Sequence, residues 1–187
     1  MSFASQISNR NFLSPGGFRF TIGKFPKVPY LAQQANIPQI NMGLVQQDTP
    51  FRPAFVDGIL EYGSFTLQFL VDEDLENYLI IHNWMRGLGV PDSFKDRQDF
   101  ETGIETNLPA KEIGDLLFAD GTLTVLNSNF QPNFNVVFKD LKPTSLSTLE
   151  FDATLDAQEF FQAVVTFDYL SYEIQGLTGT RLSLIHI

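Results

Sequence analysis

The stretch LQFLVDEDLENYLIIHNWMRGLG, Leu67–Gly89, begins like a strand and ends like a helix. Apolar and polar residues alternate over 64–71, which predicts a half-buried strand. From 73 to 88, apolar side chains recur at the three- and four-residue spacing of one helix face. That face contains Leu75, Tyr78, Leu79, His82, Met85 and Leu88. The stretch therefore predicts a strand that leads directly into a helix of about residues 73–88.

Four acids, Asp72, Glu73, Asp74 and Glu76, lie between the strand and the helix. We predict Asp72 as the N-cap, because a carboxylate there accepts hydrogen bonds from the unpaired N–H groups of the first turn. The helix dipole also favours negative charge at this end. Glu73, Glu76 and Asn77 have the spacing to hold a cation, but such cages normally draw ligands from several segments. The acids are therefore interpreted as a helix start, and we predict no metal and no cofactor.

No other residues form a recognisable catalytic constellation. The two histidines, His82 and His186, are far apart and the chain has no Cys, which argues against a zinc site. His82 lies on the apolar helix face, where we expect a hydrogen-bonded core imidazole, and we expect Trp84 to be buried. No nucleophile elbow and no phosphate-binding glycine loop is present. The sequence predicts a protein that is not an enzyme.

Composition narrows the class of protein further. The 187 residues suffice for one domain, and 19 Phe favour a β-rich fold with large packing surfaces. A net charge of −10 argues against a protein that grips nucleic acid through its phosphates. The absence of Cys fits a reducing compartment. No apolar run reaches the length of a membrane span, so we predict no membrane association.

Segments that read as strands recur on both sides of the predicted helix. They are FRFTIGKF, KVPYLAQQANIP, GTLTVLN, NFNVVFKD and the long QEFFQAVVTFDYLSYEI. We predict an α+β fold of mainly antiparallel sheet with one flanking helix, formed by residues 17–175 between an arm (1–16) and a tail (176–187). In the last strand, Thr166 and Asp168 alternate with the apolar face, and Pro143 is predicted to mark a turn.

Residues 39–58 show little periodicity and are too apolar for a solvated linker. Long segments without structure of their own are usually functional or disordered. We therefore expect a long loop that packs either over its own domain or on a neighbouring subunit.

Several motifs together resemble one family. LEYGSFTLQFLVDE leads into NYLIIHNWMRGL with Trp84, VVFKDLKPTSLSTLEFD carries Pro143 and Leu146, and FFQAVVTFDYLSYEI carries Asp168 and Tyr169. In this order and spacing they resemble the tail tube proteins of contractile-tailed bacteriophages, and the related rings that start the tube at the baseplate.

The resemblance implies strands shared in a β-barrel around a hexameric ring, with rings stacked into a tube. The 39–58 loop would reach an adjacent ring, and DNA would pass through the lumen without specific binding. Sheath and baseplate or hub proteins would be partners in a virion tail assembled in the host cytoplasm. Candidate inter-ring residues are Met42, Leu44, Phe51, Arg52 and Phe55, and candidate lumen-facing residues are Thr166 and Asp168.

Three alternatives stay open from the sequence. The chain could form a tube-initiator ring at the junction of baseplate and tube. It could instead be a single-chain β-barrel that binds an apolar ligand, since such barrels also combine strands with one helix. A hydrolase built on the acids before the helix is the third and is disfavoured by the capping interpretation.

Overall fold

A computed structural model of the chain describes residues 12–25, 28–47, 54–89, 118–151 and 160–177. Within these ranges the fold is mainly antiparallel sheet with one α-helix, which confirms the predicted fold class. The elements in order are β1 (Phe18–Ile22), a 3-10 helix (Val28–Leu31), β2 (Ala32–Ala35), β3 (Ile40–Gln47), β4 (Ala54–Tyr62), β5 (Phe65–Leu70), α1 (Glu76–Gly89), β6 (Ala119–Leu126), β7 (Pro132–Leu146), β8 (Gln162–Asp168) and β9 (Ser171–Gly176).

One long strand, β7, connects two sheets. Its N-terminal half pairs with β6 and β9, and together with β1 these strands form sheet A. Its C-terminal half pairs with β8, β8 pairs with β5, and β5 pairs with β2. These strands form sheet B. The path begins at β1 and ends at β2, so within the described ranges it does not close into a single-chain barrel.

Alternation places the apolar side chains of both sheets in one core. In β5 and β8 every second residue is buried, as predicted. The Phe65 ring packs at a tilt against Phe138, with ring centroids 4.6 Å apart, and stacks on Phe167 at 5.9 Å. Trp84 of α1 covers this cluster, 6.1 Å from the Phe167 ring, and is buried as predicted. Phenylalanines from three strands thus fill the centre of the molecule.

The helix buries a different face from the one predicted. Its fully buried residues are Asn77, Ile81, Trp84 and Gly87, whereas Leu79 and His82 are exposed. The prediction of a core imidazole at His82 is therefore wrong. Apolar residues occur almost all round this helix, so the sheet against which it packs decides which stripe is covered. Tyr78, Met85 and Leu88 pack at the border of the core, as predicted.

The helix starts later than predicted, and Asp72 is not its N-cap. The first helical residue is Glu76, and the N–H of Leu79 donates to the carbonyl of Leu75. Asp72 lies in the preceding turn, where its carbonyl accepts from the N–H of Leu75 and its Oδ1 atom is buried without a hydrogen-bond partner within the described part of the chain. The positive φ of Leu75, 58°, turns the chain into the helix after this turn.

Two strand predictions near the C-terminus are also wrong. Pro143 lies inside β7, where a register shift between Pro143 and Ser145 accommodates the residue that lacks an N–H. The predicted long last strand divides into β8 and β9 at Tyr169 and Leu170. The break lies across from Asp140, whose φ of 55° bends β7 where sheets A and B diverge.

The segments around 27–38 and 39–58 differ from their predictions as well. The first begins as the 3-10 helix with Pro29 and becomes strand only at Ala32. The second contains strands β3 and β4, which pair with each other as a separate two-stranded sheet, called the hairpin below. The predicted unstructured loop is therefore wrong over 40–47 and 54–58.

Candidate assembly interface

Sheet B has two outer edges that make no ladder within the described residues. One edge is β2, which pairs only with β5, and the other is the C-terminal half of β7, which pairs on one side with β8. Directly after β2, the N–H of Asn36 donates to the Thr66 carbonyl, so the alternation of antiparallel bonds directs the N–H of Ala35, the last residue of β2, away from β5. Such open edges are templates for a further strand.

The face of sheet B that points away from the core is polar. Side-chain amides and hydroxyls make up most of it, with Val164 as an exposed apolar exception, and several of these polar groups bond to one another or to the backbone. Gln68 Nε2 donates to Gln162 Oε1 at 2.6 Å, and Thr144 Oγ1 donates to the Thr166 carbonyl at 3.1 Å. Near the β2 edge, the N–H of Thr66 donates to Asn36 Oδ1 at 2.7 Å. This face is called the polar face of sheet B.

The polar face carries little net charge. Asp168 is exposed at the end of β8 and lies directly across from Lys142 in the ladder with β7. Thr166, the other candidate lumen residue, lies two positions earlier on the same face. The acids Asp72, Glu73, Asp74 and Glu76 lie elsewhere, at the start of α1. The excess of acid in the composition is therefore not concentrated on this face.

The hairpin exposes apolar side chains of the kind that are shielded from water in a buried strand. Met42 is 56% exposed and Leu44 65%, and Ile59 on the paired strand is 83% exposed. Two-stranded sheets are marginally stable by themselves in water. Of the other predicted inter-ring residues, Phe55 lies in β4 opposite Gln46, while Phe51 and Arg52 lie outside the described residues.

Two glycines fix the path of the hairpin. The ladder shifts register between Met42 and Leu44, where Gly58 and Ile59 of β4 form a bulge opposite Gly43. Gly58 approaches Gly43 so closely that a Cβ atom on Gly58 would overlap the Gly43 carbonyl oxygen. The hairpin thus needs glycine at position 58 to keep its backbone geometry.

Three tyrosines surround the base of the hairpin. Tyr169 donates a hydrogen bond of 2.6 Å to the Gly63 carbonyl, and Tyr172 donates one of 3.0 Å to the Pro38 carbonyl. The Tyr62 ring lies 6.1 Å from Tyr169 and 5.5 Å from Tyr172. Burial raises the pKa of Tyr169 to about 12, with smaller contributions from Tyr172, Tyr62 and Asp168. Burial and then Tyr62 also raise the pKa of Tyr172.

Sequence reasoning named Tyr169 only as a motif position and missed two partners of the same kind. Tyr62 and Tyr172 carried a signal, because each occurs in a strand next to a glycine or a chain reversal. Asn77 was also missed as a structural residue: it is buried, donates to the Leu70 carbonyl at 2.7 Å and accepts from the N–H of Asp72 at 3.3 Å. It joins the end of β5 to the helix.

The structure gives no site for metal chemistry in the ranges it describes. No group of three acid or histidine side chains converges there in a way that would hold a metal ion. Within those ranges, no helix combines the length and the apolar character that crossing a bilayer requires. Trp84 and Leu146 both pack on the core, and Pro143 is buried in β7, so these motif positions serve the fold.

The chain has structural matches among known proteins but no sequence match. No protein-family model and no curated protein sequence matches the chain. Solved structures do match. A chain in the cryo-EM structure of the tube-terminating cap of the anti-feeding prophage aligns with a TM-score of 0.61 and 19% identity, over 93% of this chain and 97% of that one. The chain has the fold of contractile-injection-system tube and baseplate components.

Two further matches cover nearly the whole chain. A chain of the six-fold symmetrised baseplate of the same prophage aligns with a TM-score of 0.56 and 14% identity, over 95% and 99% of the two chains. A chain of the sheath–tube complex of an extracellular contractile injection system, PVC, gives 0.54 and 16%, over 95% and 100%. The resemblance read from the sequence is thus confirmed at the level of the fold.

Proposed function

We propose that the chain is a structural, non-enzymatic subunit of a tube, in which identical copies join into six-fold rings and the rings stack. The observation that carries the proposal is the pair of unpaired edges at opposite sides of sheet B. The fold shared with tube and baseplate components supports it, and the six-fold symmetry of the matched baseplate supplies the ring number.

The directions of the strands make an edge-to-edge joint geometrically consistent. Sheet B has four strands that alternate in direction, β2, β5, β8 and the C-terminal half of β7. Because the number is even, its two outer edges run in opposite directions. The β2 edge of one copy therefore pairs antiparallel with the β7 edge of the next. A joint between two different edges is heterologous and closes into a ring when its rotation allows.

The ring gives the polar face of sheet B a role. Six four-stranded sheets make a barrel of about two dozen strands, wider than the roughly 16–18-stranded barrels that already enclose an aqueous channel. The polar face then lines the lumen, including Thr166 and Asp168. Among the described residues its one exposed lysine, Lys142, lies across from Asp168, so this part of the wall offers no cluster of bases to hold phosphates. DNA passes such a wall without adhering.

The hairpin supplies the contact between rings in this proposal. Its exposed apolar side chains, Met42 and Leu44 among them, lose contact with water when they pack on an adjacent ring. In a contractile tail the tube meets sheath and baseplate or hub proteins, and assembly takes place in the host cytoplasm. Where the contractile tail belongs to a phage, the tube subunit is part of the virion.

Disulfide cross-linking tests the joint directly, because the chain has no cysteine of its own. Gln34 on β2 and Ser145 on β7 are exposed at the two edges. They are separated within one copy by three strand spacings, about 14 Å, which is too far for an internal disulfide. The double variant Gln34→Cys, Ser145→Cys should give a ladder of covalent oligomers up to six on a non-reducing gel.

The control pair keeps one edge cysteine and moves the other. Ser128 lies in the turn between β6 and β7, away from both edges of sheet B, so Gln34→Cys with Ser128→Cys should give no ladder beyond a dimer. An equal ladder from both pairs, or none from the edge pair in assembled protein, would refute the edge-to-edge joint.

A second candidate function is a single ring that begins or ends a tube. The match to the tube-terminating cap, with a TM-score of 0.61, and the match to the baseplate favour it. Electron microscopy of the purified protein separates the two. Long stacked tubes indicate the main tube subunit, whereas isolated rings that cap or start tubes of another protein indicate the initiator or terminator.

A further inference from the structure

The hairpin is joined to the rest of the molecule through a narrow base. Strands β3 and β4 pair only with each other among the strands that the structure describes. Their base closes where the N–H of Gly63 donates to the Gln39 carbonyl at 2.9 Å. Any rotation at this base changes the direction of the whole hairpin, so what fixes the base also fixes where Met42 and Leu44 point.

Two tyrosine hydroxyls each hold one of the two strand ends at this base. Tyr172 donates to the carbonyl of Pro38, just before β3, and Tyr169 donates to the carbonyl of Gly63, just after β4. Both donors come from the same short segment, at the break between β8 and β9. With one hydrogen bond at the end of each strand, the hairpin is held against tilting in either direction, which a single bond does not achieve.

The two donors are themselves rigidly placed. The Tyr169 and Tyr172 rings meet edge to face, 5.9 Å apart. Both rings also contact Phe138, at 5.1 and 5.8 Å, and Phe138 is fully buried. The core of sheet A therefore extends through Phe138 to the base of the hairpin. Packed aromatic rings have few alternative positions, so the hydroxyl groups stay where the core puts them.

We propose that Tyr169 and Tyr172 act as positioning residues that set the direction of the hairpin, so that it meets a neighbouring copy already oriented. The proposal rests on the hairpin contact between rings given under the proposed function. A segment held in its bound orientation loses less conformational freedom when it binds, which strengthens assembly without any new contact.

The test removes only the two hydroxyl groups. Tyr169→Phe with Tyr172→Phe keeps both rings and should leave the far-ultraviolet circular dichroism spectrum unchanged. We expect the concentration at which tubes appear to rise by about tenfold, from two lost hydrogen bonds. In the unassembled chain, hydrogen exchange at the Gly63 amide should become about tenfold faster, because the base opens more often. Tyr172→Phe alone should give a smaller change in the same direction. This single variant carries the test if the double variant folds poorly.

A matched control is available in Tyr78. Its hydroxyl also donates to a backbone carbonyl, that of Ser147, at 3.1 Å, but between the helix and the sheet. Tyr78→Phe should lower the melting temperature about as much as Tyr172→Phe does, because each loses one hydrogen bond to a carbonyl. It should leave both the concentration at which tubes appear and the exchange rate of the Gly63 amide unchanged.

The two readouts separate this proposal from the proposed function. If the wild-type chain forms no tubes, the proposed function fails, and faster Gly63 exchange in the double variant still supports the positioning of the hairpin by the tyrosines. If the double variant exchanges and assembles like the wild type, the positioning role is overturned. Faster exchange with unchanged assembly overturns its importance for the contact between rings.

Discussion

The centre of the sheets and the hairpin use the same kinds of residue in opposite ways. Phe65, Phe138 and Phe167 are completely buried, whereas Met42 and Leu44 of the hairpin are more than half exposed. Large apolar patches that stay exposed on a folded protein mark interaction sites. The sheets bury their aromatic core within one chain, whereas the described apolar side chains of the hairpin stay exposed, as the proposed contact between rings requires.

The largest expected difference between the two regions comes from truncating one side chain in each. Phe138→Ala removes a ring that touches Phe65, Tyr169 and Tyr172, and should cost about 3–5 kcal/mol of the free energy of unfolding. Leu44→Ala should cost less than about 0.5 kcal/mol, since its side chain lies mainly in water. Urea denaturation of both variants measures this, and similar costs would contradict the comparison.

A smaller effect should follow where the helix joins the sheets. Asn77→Ala removes a buried side chain and leaves the Leu70 carbonyl and the Asp72 N–H without their side-chain partner, which should cost about 1–3 kcal/mol. Asn83→Ala is the matched control, because Asn83 is exposed on the same helix. Thermal unfolding followed by circular dichroism compares them. Equal melting temperatures would show that Asn77 does not hold the helix to β5.

Charge on the hairpin should change assembly and leave the single chain almost unaffected. Met42→Asp with Leu44→Asp alters unfolding by roughly 0.5 kcal/mol or less, because these side chains are exposed. The same change should abolish tubes, since packing buries uncompensated carboxylates. Leu79→Glu, at an exposed apolar position on α1, is the control and should assemble normally. Tubes from the hairpin variant, seen by electron microscopy, would exclude the hairpin from the contact between rings.

The base of the hairpin should show a late tyrosine titration. An ordinary tyrosine ionises near pH 10, whereas the pKa of Tyr169 is raised to about 12 by burial and by the neighbouring Tyr172, Tyr62 and Asp168. The protonated form is favoured in the folded state. Its stabilisation is therefore complete below about pH 10 and is lost as the pH rises towards 12. Ultraviolet absorbance of tyrosinate should show this late step in the wild type and lose it in Tyr169→Phe.

The smallest effect is expected at Asp72. A true N-cap would cost about 1 kcal/mol on mutation to Ala, but Asp72 precedes the helix by several residues and its Oδ1 atom has no hydrogen-bond partner in the described residues. Asp72→Ala should therefore change the free energy of unfolding by less than about 0.5 kcal/mol. A loss of 1 kcal/mol or more in urea titration would restore the capping interpretation.

The parts of the fold that were predictable are those where one side of an element is buried. Alternation in β5 and β8 identified Phe65 and Phe167 correctly, because one-sided burial imposes a period of two. The hairpin was missed because its described side chains, at 40–44 and 59–62, are exposed, and a bulge opposite Gly43 shifts its phase. Alternation at Ile40, Met42 and Leu44 was the remaining signal.

The candidate interface was less predictable than the fold. Motif order led to the tube fold, and alternation in the last strand led to Thr166 and Asp168 on the polar face of sheet B. Which edges stay open depends on how distant strands pair, and no local pattern specifies that β7 serves two sheets. The helix shows the same limit: polar Asn77 is buried and apolar Leu79 is exposed, because the docking position outweighs the residue type.

Cryo-electron microscopy of the assembled wild-type protein tests the central claim most directly. We expect rings in which β2 of each copy forms an antiparallel ladder with residues 142–146 of the next, with the polar face of sheet B towards the lumen. A chain that stays monomeric at high concentration, or rings in which both of these edges remain unpaired, would contradict it.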